Sequence, residues 1–433
     1  MKKLFILILL LSVSLTIFAN GGEEEKPVTV TALIAGNPAQ PNGKTLMEVA
    51  TEKLHQDFPN AIVEFNIADL SEGSTLTMDA MLAAGNAPNV YSDYIGRTSK
   101  YMVPEYALPL NDYVTDLDQY FESVMKPLTI NGDVMGLPTP GGIYAMCINL
   151  DLLEDVGYDL PSQENWTVDE FLKMCAMVKA KYDGEKWGTG MFAANQSGDY
   201  LINNWFASFG VSYYADGYDY TTIKSTGGAK VYEFFQSLVA NDYIPPNSGT
   251  LADDYYVTQW AKGELAATGF FEGWTENYFK SWENEIKNKE TEETYGRFSY
   301  TFYPFPKAEG VDKVPAYFIN HTVVVHNTGD RRTDEVAARL AQYLNDADIQ
   351  ENASLSNVCL TRKDAENLSD SVMIPVITKI GEDNGIFDVG LSQPWFAAVR
   401  PKHYPILQKV LAGDLTPEEA ITAYEAAINE ELE

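Results

Sequence analysis

The sequence predicts an α/β protein of two lobes, joined by hinge strands, with a ligand cleft between the lobes. Three observations lead to this prediction. A chain of 433 residues is too long for a single hydrophobic core. Strand and helix patterns alternate along it, which is typical of parallel sheets with crossover helices. Prolines also mark two strand ends, together with glycines at 136–142 and without them at 304–306, where the chain is expected to pass between lobes.

Residues 1–19 have the pattern of a secretory signal peptide. Lys2 and Lys3 precede an apolar run, and small residues offer a cleavage point after Ala19. The run is shorter than the roughly 20 residues that a membrane span needs. Because no cysteine stands near the cut, a lipid anchor is not predicted. Residues 20–27 then form a polar lead-in, and the mature protein is expected to be exported, to the periplasm or the cell exterior.

Three strand patterns and two helix patterns follow the lead-in. The strands are predicted at 28–34, 61–67 and 90–93, and the helices at 45–58 and 75–84. Ligands of such sheets bind beyond the carboxyl ends of the strands. Asn37, the loop 71–74, and the pair Asp93 and Tyr94 stand at those ends. These residues are therefore candidate ligand contacts.

The first hinge is predicted within the run 132–157. A short strand pattern ends at Leu137, and Pro138, Pro140 and two glycines follow it. Proline fixes φ and lacks an N–H group, so we predict a backbone bend here rather than the interior of a strand. A period-2 strand pattern resumes at Tyr144. A return crossing is predicted near Pro304.

Each lobe is therefore predicted to be discontinuous in sequence. The amino-terminal lobe is predicted at 28–138 plus 308–355, and the carboxy-terminal lobe at 139–307 plus 356–433. Helix starts are predicted at Thr167 and Thr416, since each is followed three residues later by glutamate, the pattern of a capping box. Trp166 is expected to be a structural residue that packs beside the first of these helices.

Charge and cysteine content exclude several classes of function. The formal net charge is −32, so the protein should repel nucleic acid and anionic membranes. Cys147, Cys175 and Cys359 are widely spaced, and no Cys-x-x-Cys motif is present. We predict buried thiols rather than disulfides or a metal site.

No motif predicts catalysis, a cofactor or a metal. Nucleophile elbows, phosphate loops, zinc-protease motifs and dinucleotide fingerprints are all absent from the sequence. His321 and His326 fall on opposite faces of a predicted strand, which does not favour a shared metal. A carboxylate pair of a polysaccharide-active enzyme stays open as an alternative, because acidic residues are abundant. A binding protein for a non-sugar solute, such as a peptide or a metal, is a second alternative.

Aromatic residues are abundant, with 26 tyrosines, 20 phenylalanines and 7 tryptophans. Most are expected in the core, as large aromatic residues usually are. Trp205, Trp260, Trp274 and Trp395 have two interpretations, the core or a sugar-stacking wall. Trp274 follows an apolar strand that ends at Glu272, and Trp395 stands in a loop before a helix. An aromatic face beside a few polar groups is typical of a sugar site.

Segments along nearly the whole mature chain resemble one family. Residues 131–157 combine Gly-x-x-x-Gly-Leu-Pro, a strand and Asn-x-Asp-Leu-Leu-Glu-x-x-Gly, and Trp166-Thr-Val-Asp-Glu-Phe follows. Further segments match in order at 84–90, 262–274, 337–344, 361–362 and 392–400. Together they resemble the extracellular solute-binding proteins of ABC importers, family 1, in the carbohydrate-binding, maltose-binding-protein-like branch.

The resemblance implies a periplasmic-binding-protein-like fold that closes on a sugar without changing it chemically. It implies a membrane permease as partner and a monomeric receptor. A sugar-contact role is carried onto Trp274, Trp395, Asp93, Tyr94 and the pair Asn204 and Trp205. Closure would bring Glu272, Trp274 and Trp395 opposite Asn37, Asp93 and Tyr94. Gly142 stands where the family has an acidic contact, so Tyr144 is predicted to select the ligand.

Overall fold

Two larger β-sheets organise the part of the chain that the computed structural model describes, namely residues 26–68, 74–215, 217–269, 276, 298–371 and 373–433. The predicted signal peptide, Glu272 and Trp274 lie outside these residues. The strands are β1 (Thr29–Ile34), β2 (Ile62–Ile67), β3 (Val90–Tyr94), β4 (Thr129–Ile130), β5 (Asp133–Val134), β6 (Leu137–Ile143), β7 (Met146–Asn149), β8 (Ala267–Thr268), β9 (Tyr300–Tyr303) and β10 (Phe318–Val325). The helices are α1 (Leu46–Asp57), α2 (Ser74–Ala83), α3 (Ile95–Thr98), α4 (Glu122–Met125), α5 (Leu150–Val156), α6 (Val168–Tyr182), α7 (Asp199–Ser208), α8 (Gly228–Ala240), α9 (Asp253–Ala261), α10 (Arg331–Tyr343), α11 (Ala347–Ser354), α12 (Met373–Asn384), α13 (Phe396–Val399), α14 (His403–Ala412) and α15 (Pro417–Leu432).

The first sheet has five strands in the order β2-β1-β3-β10-β6. β1 runs parallel to both its neighbours, so that Ala32 lies beside Phe65 on one side and Val90 on the other. β10 lies antiparallel between β3 and β6. The parallel sheet predicted from the alternation of strands and helices is confirmed. A strand from late in the chain completes it.

Residues 137–143 form a strand, so the prediction of a bend at Pro138 to Gly142 is wrong. β6 is the edge strand of the first sheet, paired with β10 on its inner side and bridged to Cys359 on its outer side. An edge strand accommodates proline because its outward N–H groups are not needed for a ladder. Gly141 is required where two backbones approach closely, since a Cβ there would lie 2.2 Å from the carbonyl oxygen of Ile319.

The chain passes from the first sheet to the second at residues 144–145, between β6 and β7. It leaves the second sheet after β9, directly before Pro304, and returns to the first sheet at β10. The second sheet has the order β8-β7-β9, with both outer strands antiparallel to β7. The chain therefore crosses twice between the sheets. The lobe boundaries given above stay a prediction.

Capping residues start the helices as predicted. The Thr167 hydroxyl accepts a hydrogen bond from the Glu170 N–H at the start of α6. Thr416 and Glu419 form a reciprocal capping box ahead of α15. Trp166 is buried, with its ring centroid 6.0 Å from that of Phe171. This packing is the structural role predicted for Trp166.

Helices complete each lobe. α10 packs on β1, β3 and β10 of the first sheet and lies beside α1. On the side of the second sheet, α8, α14 and α15 pack against one another. The predicted buried thiols are confirmed, because Cys147, Cys175 and Cys359 are buried and none of the three forms a disulfide. Within the described residues, no helix combines the length and apolar character that crossing a bilayer requires.

Candidate ligand-binding site

A cavity of about 480 Å³ opens at the carboxyl ends of β1 and β3, and we call it the strand-end cavity. Pockets of roughly 300–1,000 Å³ are the usual size for small-molecule ligands. Its position is the one that an open α/β sheet predicts for a ligand. The cavity is lined by Ile34, Ala35, Gly36, Pro38, Ala39, Gln40, Leu46, Ser92, Thr139, Pro140, His321, Val323, Leu344, Ile349, Asn352, Ala353, Leu355, Ser356 and Val358.

Both strands next to the crossings contribute to the cavity wall. Thr139 and Pro140 come from β6, and His321 comes from β10. The Thr139 hydroxyl donates a 3.0 Å hydrogen bond to the carbonyl oxygen of His321 and so ties the two strands together. A ligand in this cavity would therefore touch the segments that lead from one lobe to the other. Contact at that place is what a binding event coupled to hinge closure requires.

The wall is mostly apolar, with a few polar groups among the aliphatic side chains. Gln40, Ser92 and Asn352 offer hydroxyl or amide groups, and His321 is the ionisable side chain among the described lining residues. Burial lowers the pKa of His321, an effect that Asp93 opposes and Arg97 reinforces. A neutral imidazole offers one donor and one acceptor, which suits a ligand hydroxyl.

Four tyrosines meet beside the cavity, and we call Tyr94, Tyr144, Tyr200 and Tyr317 the tyrosine cluster. The Tyr144 and Tyr200 rings stack with centroids 5.5 Å apart and planes 24° apart. The Tyr94 ring meets Tyr200 edge-on at 6.5 Å, and the Tyr94 and Tyr317 hydroxyls lie 3.3 Å apart. The cluster thus joins the end of β3, both crossings and α7. On β10, His321 pairs with Tyr94, which links the cluster to the strand-end cavity.

One buried ion pair borders the tyrosine cluster. Arg400 donates to both carboxylate oxygens of Asp199, with Nε–Oδ2 and Nη2–Oδ1 distances of 2.6 and 3.1 Å. Burial raises the pKa of Asp199, and the Arg400 guanidinium opposes that rise. The same guanidinium lies against the rings of Tyr94 and Tyr200.

The model of one protein family matches residues 50–372, about three quarters of the chain. Its description is bacterial extracellular solute-binding protein. The chain belongs to this family. The family consists of extracellular receptors, which bind a solute and do not catalyse a reaction.

A curated relative of this solute-binding protein is the arabinooligosaccharide-binding protein of Halalkalibacterium halodurans. The two are 24% identical over 220 residues, which are 49% of this chain and 47% of the relative. The match thus spans about half the length of the curated relative.

Solved structures similar to the solute-binding protein agree in fold along nearly its whole length. The GacH receptor of Streptomyces glaucescens GLA.O, studied with acarbose, has a TM-score of 0.71 at 15% identity and covers 94% of this chain and 99% of its own. Maltose-bound T. maritima MalE3 has a TM-score of 0.70 at 18% identity, covering 93% and 99%. A chitin oligosaccharide binding protein has a TM-score of 0.71 at 19% identity, covering 94% and 99%. The predicted periplasmic-binding-protein-like fold is confirmed.

In the solute-binding protein, the residues predicted as ligand contacts at the strand ends form hydrogen bonds with neighbouring parts of the chain. The Asn37 side-chain oxygen accepts a 2.9 Å hydrogen bond from the Met47 N–H, while the adjacent Gly36 and Pro38 line the cavity. Asp93 is fully buried, and its carboxylate accepts hydrogen bonds from the Tyr91 hydroxyl, the Tyr94 N–H and Arg97. Asp93 thereby positions the end of β3.

Asn204 and Trp205 both lie on α7, but they have different surroundings. The Asn204 side-chain oxygen accepts from the Tyr317 N–H at 3.1 Å, which places it behind the tyrosine cluster. Trp205 is 1% exposed, with its ring centroid 4.5 Å from that of Phe234 and 5.3 Å from that of Phe305. Of the two interpretations of this tryptophan, the structure supports the core, so the predicted ligand contact of Trp205 is not supported.

Trp395 is partly buried just before α13, with its ring centroid 4.8 Å from that of Tyr214 and 6.2 Å from that of Tyr218. Neither neighbour belongs to the tyrosine cluster, and Trp395 does not line the strand-end cavity. Its predicted sugar contact stays a prediction. Glu272 and Trp274 lie outside the described residues, so their predicted contacts also stay predictions.

Sequence reasoning missed the residues in and beside the tyrosine cluster that come from distant segments of the chain. Tyr200, Tyr317, His321 and Arg400 were not predicted as site residues, while Tyr94 and Tyr144 were. The sequence offered one signal for two of them, namely their position along the chain. Tyr317 directly precedes β10 and His321 lies within it, on the strand by which the chain returns to the first sheet. Among the described residues, no group of three His, Cys, Asp or Glu side chains could hold a metal ion.

Proposed function

We propose that this protein is exported, captures a mono- or oligosaccharide between its two lobes, and delivers it to the membrane permease of an ABC importer. The observation that carries the proposal is the strand-end cavity, which is lined in part by β6 and β10, the two strands of the first sheet that lead to the crossings. Its volume of about 480 Å³ suits one or two sugar rings, with further rings extending outward.

The character of the surroundings supports a sugar as the solute. An apolar wall with a few hydroxyl, amide and imidazole groups matches the alternating apolar faces and hydroxyl edges of a sugar ring. The neighbouring tyrosine cluster adds aromatic faces and hydroxyls. The similar proteins support the same class of solute, because their names include an arabinooligosaccharide, maltose and chitin oligosaccharide.

Capture would work through closure of the lobes. A sugar shifts the balance between open and closed forms only as far as it binds the closed form more tightly. Trp274, Glu272 and Trp395 would approach the sugar from the second lobe, with Asn37, Asp93 and Tyr94 holding the opposite wall. Tyr144 would select among ligands at the crossing. The signal peptide at 1–19, without a cysteine at its end, would export the receptor to the periplasm or the cell exterior.

A sugar panel tests the proposal directly. Arabinooligosaccharide, maltose, chitin oligosaccharide and their monosaccharides would be titrated by calorimetry, with product analysis by chromatography. We expect saturable binding of at least one sugar and recovery of that sugar intact. Conversion of a glycan would support the carboxylate-pair enzyme instead. Binding of peptides or metal ions, with no sugar bound, would support the non-sugar receptor.

Two histidine variants test the location. His321→Ala removes the ionisable group of the cavity wall, and we expect the dissociation constant to rise about tenfold, equivalent to roughly 1.4 kcal/mol. His326→Ala is the matched control, because His326 follows the same strand but stacks on Tyr106, with ring centroids 4.5 Å apart. Equal affinities of the two variants would show that the strand-end cavity is not the sugar site.

A further inference from the structure

The ion pair of Arg400 and Asp199 lies where the two lobes touch. Both side chains are almost fully buried, with 6% and 7% of their surface exposed. A buried pair of this kind is costly to desolvate and contributes little net stability unless its geometry is well satisfied. Here two nitrogens of the guanidinium each donate a hydrogen bond to a different oxygen of the same carboxylate. This bidentate arrangement fixes both the position and the orientation of the guanidinium.

The fixed guanidinium contacts one tyrosine from each lobe. Its central carbon lies 5.1 Å from the centroid of the Tyr94 ring and 4.9 Å from that of the Tyr200 ring. Tyr94 is the last residue of β3 in the first sheet. Tyr200 lies on α7, whose Leu201 packs beside Gly269, directly after strand β8 of the second sheet. One cation thus bridges aromatic rings of the two lobes.

The backbone beside this bridge is also in cross-lobe contact. Gly96 lies on α3, immediately after β3, and a Cβ added to it would lie 2.7 Å from a ring carbon of Phe396. Phe396 begins α13, the short helix that leads to Arg400 and then to α14 in the helical layer of the second lobe. Only a residue without a side chain allows this approach. The contact between the two predicted lobes therefore includes the backbone of Gly96 as well as the ring of Tyr94.

We propose that Tyr94, Arg400, Tyr200 and Asp199 form a latch, a set of contacts that holds the two lobes closed when no sugar is bound. Asp199 and Arg400 are its positioning residues. Opening the lobes would separate Tyr94 from the guanidinium while Asp199 keeps Arg400 on the second lobe. Arginine serves this purpose because its flat face stacks on aromatic rings while its edge binds a carboxylate, and lysine cannot do both. The latch goes beyond the proposed function, because it sets how often the closed form is present before any sugar binds.

Affinity follows from the closed fraction. If only the closed form binds tightly, the apparent dissociation constant is the intrinsic one divided by the fraction of molecules that are closed. A variant that lowers this fraction to about a tenth of its original value would weaken binding about tenfold without touching the sugar. The latch would therefore tune the affinity of the receptor for every ligand equally.

The test is small-angle X-ray scattering of the purified protein without added sugar. Its outcome is independent of which solute the receptor binds, and so is separate from the test of the proposed function. We expect Arg400→Lys and Asp199→Asn to increase the radius of gyration relative to the wild type. Arg332→Lys is the matched control, since Arg332 pairs with Glu335 and lies 4.7 Å from the Phe58 ring, and all three residues belong to the predicted amino-terminal lobe.

A second variant distinguishes loss of the latch from loss of the fold. Tyr94→Leu leaves the ion pair intact and removes only the ring of the first lobe, and circular dichroism would confirm that each variant is folded. We expect Tyr94→Leu to increase the radius of gyration as Arg400→Lys does. An unchanged radius in folded Tyr94→Leu, or an equal increase in Arg332→Lys, would overturn the latch.

Discussion

The Tyr144 N–H donates a 3.0 Å hydrogen bond to the carbonyl oxygen of Tyr317, so the two crossings of the chain between its lobes are bonded to each other. Their side chains meet as well, with ring centroids 6.3 Å apart. A movement of one crossing must therefore involve the other. This coupling makes the tyrosine cluster a natural place to connect ligand contact with lobe closure.

Tyr144 offers a test of ligand selection separate from folding. Tyr144→Phe keeps the ring that stacks on Tyr200, so we expect only a small loss of unfolding free energy. Tyr144→Ala removes the stack and should cost about 3–5 kcal/mol, as large aromatic truncations do. Urea unfolding measures both values. A changed order of sugar affinities in folded Tyr144→Phe would assign ligand selection to the hydroxyl, and an unchanged order would contradict it.

The two tryptophans with different surroundings should respond differently to truncation. Trp205→Ala opens a hole in the core beside Phe234, and we expect a loss of about 3–5 kcal/mol of unfolding free energy. Trp395→Ala affects a partly buried ring outside that core, so its loss should be smaller. Sugar titration then tests the predicted contact of Trp395. Weakened binding by a stable Trp395→Ala protein would support that contact, and unaltered affinity would return Trp395 to a packing role.

Gly141 should tolerate no side chain, because a Cβ would lie 2.2 Å from the backbone oxygen of Ile319. Backbone atoms cannot rotate away, so Gly141→Ala should force β6 and β10 apart. We expect a loss of about 1–3 kcal/mol, the usual range for overpacking. Gly36→Ala is the control, because no heavy atom lies within 4 Å of a Cβ there. Urea midpoints of the two variants measure the difference, and similar midpoints would contradict the close approach.

His403 should make the protein sensitive to acid. Its ring stacks on Tyr424 with centroids 4.1 Å apart, and its Nε2 lies 2.8 Å from the Tyr232 hydroxyl. Burial lowers the pKa of His403 to about 3, well below the value of about 6.5 for an exposed histidine. The unfolded chain therefore takes up the proton first, and stability is lost as the pH falls from about 6.5 toward about 3.

The lowered pKa of His403 also sets how steeply the free energy of unfolding should depend on pH. Below about pH 6 this residue alone should remove up to about 1.4 kcal/mol of unfolding free energy for each pH unit. Urea unfolding of the wild type and of His403→Gln, from about pH 7 to about pH 4, measures the slope. We expect a shallower dependence in the variant. Parallel curves would show that another group causes the acid sensitivity.

Local signals predicted most elements of the fold. The first three strands and their parallel pairing follow from the alternation of strand and helix patterns. Helix starts at Thr167 and Thr416 follow from capping, which depends on residues only three positions apart. The strand Leu137–Ile143 was missed, because its pairing partner β10 lies far along the chain and only its edge position makes two prolines acceptable.

The candidate site was only partly predictable for the same reason. Asn37, Asp93 and Tyr94 were found because strand ends are a local feature. Their roles were not, because Asp93 is buried beneath Tyr91 and Arg97, contacts that a linear pattern does not show. Tyr200 and Arg400 carried no motif of their own. Their contacts with Tyr94 are what bring both residues to the site.

By itself, then, the sequence determined the alternation of strands and helices, the helix caps, the free thiols and the family, since each depends on neighbouring residues or on order along the chain. Only the tertiary structure decided which residues meet. Arg400 and Asp199 are 201 positions apart, yet form one buried pair against Tyr94 and Tyr200. Contacts between residues so far apart in sequence form only when the two sheets and the segments that connect them pack together. No short segment of the sequence encodes them.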